Sequence, residues 1–232
     1  METKKYKLTE ETINVNGKTL YRIEALKDFG NVKKGDKGGF IENENNLTQY
    51  GKCWVYDNAE VSGYAIVHDN ATVSGNAKVS GNAIIHEKAK VYGDAKVSGN
   101  AIVHDKAEIY DNANVYGDTM VYENAKIYGN AKVSGNAVVF GDAEVCGKAE
   151  VCDNAEIRGN AIVANDSDYI VFKNWWSSGR YFTWTKSNNM WKVGCFYGSG
   201  KQLINKAYMD SELSGNEYER IVRYVDKDYR NG

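Results

Sequence analysis

Proline is missing from this 232-residue chain, and histidine occurs only three times. Without proline every position keeps a backbone N–H, which suits a fold whose N–H groups are nearly all committed to ladders. The four cysteines, Cys53, Cys146, Cys152 and Cys195, form no CxxC and no zinc-type spacing. A disulfide framework is therefore not the organising principle, and a reduced, cytoplasmic setting is expected. No apolar run approaches the roughly 18 residues a membrane span needs, so no membrane partner is expected. The opening METKKYKLTEET is too polar for a secretion signal. Neither charge dominates, with 29 Lys and Arg against 31 Asp and Glu. Bulk attraction to nucleic acid or to an anionic surface is excluded on that count.

What the chain has is a six-residue period. From Ala59 to Val163 it repeats A-x-[VI]-x-[GDEN]-[NDKY] with no insertion or deletion. Alanine fills its slot in 17 of 18 hexads, Thr119 being the exception, and Val or Ile fills the third position in all 18. CWVYDN (53–58) keeps the same phase. Apolar residues at i and i+2, followed by turn-tolerant residues, describe a very short strand and a corner. Three such strands closing a triangle make an 18-residue coil, and coils stack at about 4.8 Å. Nineteen hexads from Cys53 give about six coils.

An aliphatic residue, three variable positions and a small residue, as in V-S-G-N-A-K, resembles the hexapeptide-repeat family over 53–165. The resemblance implies a left-handed parallel β-helix. Its hand comes from the family alone, because the general rule for parallel crossovers gives the opposite one. The narrow Ala/Val core leaves no room for an internal ligand.

The ends differ from the repeat. Residues 1–52 include TINVNGKTLYRIEAL, where Asn16-Gly17 reads as a two-residue hairpin turn. An N-terminal β cap over the first coil is expected there. The stretch from DFGNVKKGDKGGF into the first coil resembles the cap of polymer-forming hexapeptide proteins common in phages and prophages. After Asn165 the period stops. DYIVFKN, RYFTWTKS and MWKVGCFYG predict three strands, while GKQLINKAYMDSE and SGNEYERIVRYVDKDY predict two helices. Residues 166–232 are thus expected to form a small α+β domain.

Folding the repeat at 18 residues per coil stacks Ile66, Ile84, Ile102, Met120, Val138 and Glu156 on one outer face. Beside them stack His68, His86, His104, Tyr122, Phe140 and Arg158. The two other faces carry Lys, Glu and Asn at the same positions. A contiguous apolar strip of this kind marks an interface. The expectation is a homo-oligomer through residues 66–140, a trimer by family resemblance or else a dimer. Stacked imidazoles point in parallel and do not converge, so no metal site is expected from them. Related acyltransferases use a histidine near a subunit interface, but they carry a loop insertion that shapes the acceptor site. Here the hexads run uninterrupted. A second column, Tyr56, Ser74, Tyr92, Tyr110, Tyr128 and Cys146, reads as strand-surface packing or as a stacking groove.

Four of the five tryptophans lie between Trp175 and Trp191. The candidate ligand residues are Trp175, Trp176, Ser177, Ser178, Arg180, Tyr181, Trp184, Thr185, Ser187, Asn188 and Trp191. Flat rings, one guanidinium and short donors are what recognition of a base, sugar or phosphate needs. The alternative is an aromatic core with a polar loop. No nucleophile–base–acid constellation appears, so no catalytic residue and no cofactor are assigned. The expected protein is a non-enzymatic oligomeric β-helix of phage type. Its C-terminal domain would bind a small ligand, a nucleotide-type host defence signal for sequestration, or a partner. An acyltransferase and a purely structural protein are the alternatives.

Overall fold

The computed structural model describes residues 4–229. Strands β1 (Tyr6–Val15) and β2 (Lys18–Ala25) form an antiparallel hairpin. Its turn places Asn16 and Gly17 at left-handed φ values of 52° and 80°, the conformation that Asn-Gly favours. Strand β3 (Lys37–Ile41) pairs antiparallel with β2 and parallel with Glu60–Val61. The cap and the first turn of the solenoid therefore share one sheet.

Nineteen two-residue strands follow, from β4 (Trp54–Val55) to β22 (Ile162–Val163). They stack in parallel in three sheets, each residue opposite the one 18 positions on, as Ile66 is to Ile84 and Ile84 to Ile102. The result is a left-handed parallel β-helix of about seven turns. Beyond the repeat count lie Phe40–Ile41 and Leu47, which align with Glu60–Val61 and Val67 and complete a first coil with Trp54–Val55, itself opposite Thr72–Val73. A lengthened corner between Leu47 and Val55 breaks the six-residue phase there and hides those two sides from the pattern. Inside, the alanine and Val/Ile slots are closed to solvent, with Ala83, Ile85, Ala101 and Val103 all at 0% exposure.

Each corner needs a left-handed residue. Gly81 has φ of 69°, and a Cβ there would come within 2.8 Å of the Gly99 nitrogen on the next coil. Acids replace glycine at other corners, as at Asp69 and Asp105, with φ of 56° and 57°. Their carboxylates accept the N–H of the corner one coil on, Glu87 at 3.3 Å and Glu123 at 3.1 Å.

The ladder is polar along its axis. Each coil donates N–H groups to carbonyls of the following coil, as Ile66 does to Ala83. The first coil therefore ends in open carbonyls and the last in open N–H groups, and an unpaired backbone edge invites other chains. Donors close the first. Arg22 reaches Gly38 O at 2.8 Å, Tyr6 Oη reaches Leu47 O at 2.6 Å, and Lys5 Nζ reaches Cys53 O at 3.0 Å. Acceptors close the last, and they come from the C-terminal domain. Asp166 Oδ1 accepts from Glu150 N–H at 2.8 Å, Thr183 Oγ1 from Glu156 N–H at 3.1 Å and Ser187 Oγ from Ile162 N–H at 2.7 Å.

That domain is an antiparallel sheet of β23 (Tyr169–Lys173), β24 (Tyr181–Thr185), β25 (Met190–Val193) and β26 (Phe196–Ser199), with helices α1 (Gly200–Asp210) and α2 (Glu212–Asp228). Four strands form where the sequence predicts three. Gly194, at φ of 54°, turns MWKVGCFYG into a hairpin. Phe182, Trp184, Trp191 and Val193 face the helices and form a core with Leu203, Ala207, Tyr218, Val222 and Val225. Tyr169 and Val171, on the other face, pack against the solenoid core. Among the described residues no helix is long and apolar enough to cross a membrane.

Candidate functional site

Two surfaces collect the chemistry-bearing side chains. The first is the apolar face of the solenoid. Ile66, Ile84, Ile102, Met120 and Val138 are register partners down one sheet and remain partly exposed, Ile66 at 39% and Met120 at 38%. Beside them His68, His86, His104, Tyr122 and Phe140 form one column. Successive ring centroids are 4.9, 5.0, 5.0 and 4.8 Å apart, with planes within 15° of parallel. Arg158 closes the column, its Cζ lying 4.9 Å from both Phe140 and Tyr197 of β26.

Carboxylates flank the imidazoles. Asp69 Oδ2 lies 3.1 Å from His68 Nδ1 and 3.9 Å from His86 Nδ1, and Asp105 Oδ2 lies 3.2 Å from His104 Nδ1. Burial lowers the pKa of His86, and the neighbouring His104 and His68 add to this. Two groups, His68–Asp69–His86 and Glu87–His104–Asp105, bring ligand-type atoms within 4.8 Å of one another. An ion held by two imidazoles lies near both ring planes. Planes stacked almost in parallel share no such point, so His68 and His86 do not share an ion without tilting the rings. The second column, Tyr92, Tyr110 and Tyr128, stacks at 4.9 and 5.0 Å with planes 2° apart. Tyr92 and Tyr128 donate to Glu108 and Glu144, which fixes the rings against the sheet.

The second surface is the C-terminal domain, where the aromatic segment divides. Trp184 and Trp191 are buried at 0% and 1% exposure, and Asn189 accepts from the Trp184 indole. Ser187 closes the last coil. Asn188 accepts from the Thr185 hydroxyl and donates to the Tyr197 hydroxyl and Arg158 O, at the junction with the solenoid. At the opposite end of β24 lies the tight turn after β23. There Ser177 bonds Asn174, and the Ser178 hydroxyl accepts from Arg180 N–H. Arg180 lines a depression with Cys195, Lys206 and Asp210. Tyr181 lies under Lys173 Nζ, which stands 3.6 Å above the Trp175 ring. Trp175 and Trp176 remain 74% and 63% exposed, and the Trp176 indole donates to Glu217 of α2. The segment thus supplies core, junction and surface side chains, with Trp175 and Trp176 at its outer edge.

Helix α2 contributes surface residues that the sequence reading left out. Arg220 and Tyr224 are one turn apart, as are Arg223 and Lys227, and the tertiary fold lays them beside Phe172 and Trp176. The i,i+4 spacing of cation and ring was the available signal. All four cysteines are free, and Cys53 is buried against Lys5.

No family model matches the chain. Over 57 residues, 24% of this chain, it is 42% identical to the "Uncharacterized acetyltransferase YdcK" of Escherichia coli (strain K12). The matched stretch is 18% of that protein, so the chain spans less than a fifth of the relative's length. A repeat that fixes Ala and Val or Ile in almost every hexad raises such identity by itself. The likeness fits the hexapeptide-repeat β-helix already evident in the stacking.

Proposed function

We propose that this chain is a non-catalytic, self-associating β-helix that displays its C-terminal domain as a binding module for a small ligand. The observation that carries this reading is the adjacent pair Trp175 and Trp176, both largely exposed on a domain fixed to the solenoid by Thr183, Ser187 and Asn188. Large rings left in water beside one another on a rigid base are the usual anchors of recognition. The apolar face from Ile66 to Val138 supports assembly, as a trimer or else a dimer, which would multiply the displayed modules. Holding a ligand by occupancy fits a sequestering role, and the resemblance of the N-terminal stretch to phage caps gives that role a setting: capture of a nucleotide-type host defence signal. Native mass spectrometry of protein purified from its host tests the reading, since it reports subunit number and any co-purifying small molecule together. A monomer without bound mass, indifferent to alanine at Trp175 and Trp176, would overturn it.

Acetyl transfer is a second reading, favoured by the partial likeness to an uncharacterized acetyltransferase and by the His104–Asp105 pair. A carboxylate on Nδ1 leaves Nε2 as a base. Coenzyme A binding or acetyl transfer that disappears in His86→Ala or His104→Ala would establish it.

A further inference from the structure

Between β23, the edge strand of its sheet, and the outer face of α2 runs an open groove of about 820 Å³. Ile170, Phe172 and Trp176 form one wall, and Ile221 and Tyr224 form the other. Three cations, Arg220, Arg223 and Lys227, line it against a single carboxylate, Glu217, while the Lys173 ammonium sits over the Trp175 ring. That is the reverse of the chain as a whole, whose net charge is −2.

Glu217 and Glu219, beside the groove, leave both of its guanidinium groups accessible. Glu217 accepts the Trp176 indole N–H and lies 3.6 Å from Arg220. Glu219 holds Arg223 at 2.6 Å. Both guanidinium side chains are more than three-quarters exposed, at 82% and 76%. Exposed pairs of this kind are weak, and an incoming dianion competes with them.

The wall itself is graded. Phe182 and Phe172 stack at 5.1 Å and 17°, and Trp176 continues the series at 6.5 Å and 5°. Phe182 is buried, Phe172 half-buried and Trp176 exposed, so a column of parallel rings ends at solvent on an indole fixed by its bond to Glu217. A planar ring extends such a column, whereas a flexible alkyl chain gains more from an enclosed tunnel than from an open groove.

Resting on the reading of the C-terminal domain as a binding module, we infer that this groove binds a nucleoside phosphate. The base stacks against Trp176, and the phosphate lies among Arg220, Arg223 and Lys227. Arg180, which the sequence singles out, opens on a different depression with Cys195 and Lys206 and takes no part.

Titration calorimetry of the full chain with the four common nucleoside monophosphates, with adenosine and with inorganic phosphate tests this. At least one monophosphate should bind about tenfold or more tightly than adenosine or phosphate alone and quench tryptophan fluorescence. Trp176→Ala and Arg223→Glu should each weaken it about tenfold or more, with Arg223→Lys intermediate and Arg180→Ala unchanged. Both altered side chains are exposed, so circular dichroism should match the parent. The inference is overturned if none of the monophosphates binds, if an acidic peptide binds in their place, or if Trp176→Ala and Arg223→Glu bind as the parent does. An intact oligomer that binds no monophosphate removes the groove assignment and leaves the display reading standing. A monomer that binds one through Trp176 and Arg223 does the reverse.

Discussion

His86 and His104 stack with ring centroids 5.0 Å apart and planes 15° from parallel, in the middle of a five-ring column. Burial and the neighbouring imidazoles hold the His86 pKa below its ordinary value of 6.5, with Asp69 and Asp105 opposing. The unfolded chain therefore takes up its proton first as pH falls. The His86 contribution is complete above about pH 6.5 and is lost below it, down to the lowered folded value. Thermal unfolding followed from pH 8 to pH 5 should show this acid-side loss. His86→Phe keeps a ring in the column without titrating, and it should flatten the decline. Identical acid profiles would remove His86 as the source.

The external apolar face makes the assembly testable. Ile84 and Ile102 are register partners at the centre of the strip, and their side chains point away from the core. Ile84→Glu with Ile102→Glu should place carboxylates in a dry contact while leaving the core alanines and valines untouched. Light scattering should then report monomers with a native circular dichroism spectrum. An unchanged mass would show that the contact lies elsewhere.

Thr183 is 2% exposed, and its hydroxyl accepts the Glu156 N–H. Thr183→Val keeps the shape and leaves that N–H without its acceptor, at a cost of about 1–3 kcal/mol. Chemical denaturation should report a loss in that range. No loss would mean that water replaces the hydroxyl.

Thr119 occupies an alanine slot, and its Oγ1 is buried with no partner, the one such side-chain atom among the described residues. Thr119→Val removes a stranded hydroxyl at nearly constant volume. Stability should rise by about 1–2 kcal/mol, read by the same denaturation. A fall would show that the hydroxyl has a partner in solution.

The solenoid was legible because its rule is local and repeated. Ala and Val recur every six residues since only small and β-branched side chains fill so narrow a core, and glycine or an acid recurs at the corner because the chain turns there at positive φ. Two sides of the first coil escaped, because the corner before Trp54 lengthens and the phase is lost. The candidate site was legible only in part. The segment 175–191 announces aromatic rings and short polar side chains but not their partners, and alternation along β24 does not say which face meets the helices.

The sequence by itself determined the β-helix, its 18-residue register and the stacked column from His68 to Phe140, because each follows from contacts between residues at fixed separation, and the end of the period after Asn165 marked off the α+β region. Only the tertiary structure decided that Trp184 and Trp191 are core, that Thr183 and Ser187 cap the last coil, and that Trp176 stands beside Arg220 and Arg223. Those relations reach across as many as 47 positions through the packing of α2 and the polarity of the backbone ladder. No periodicity in the chain encodes them.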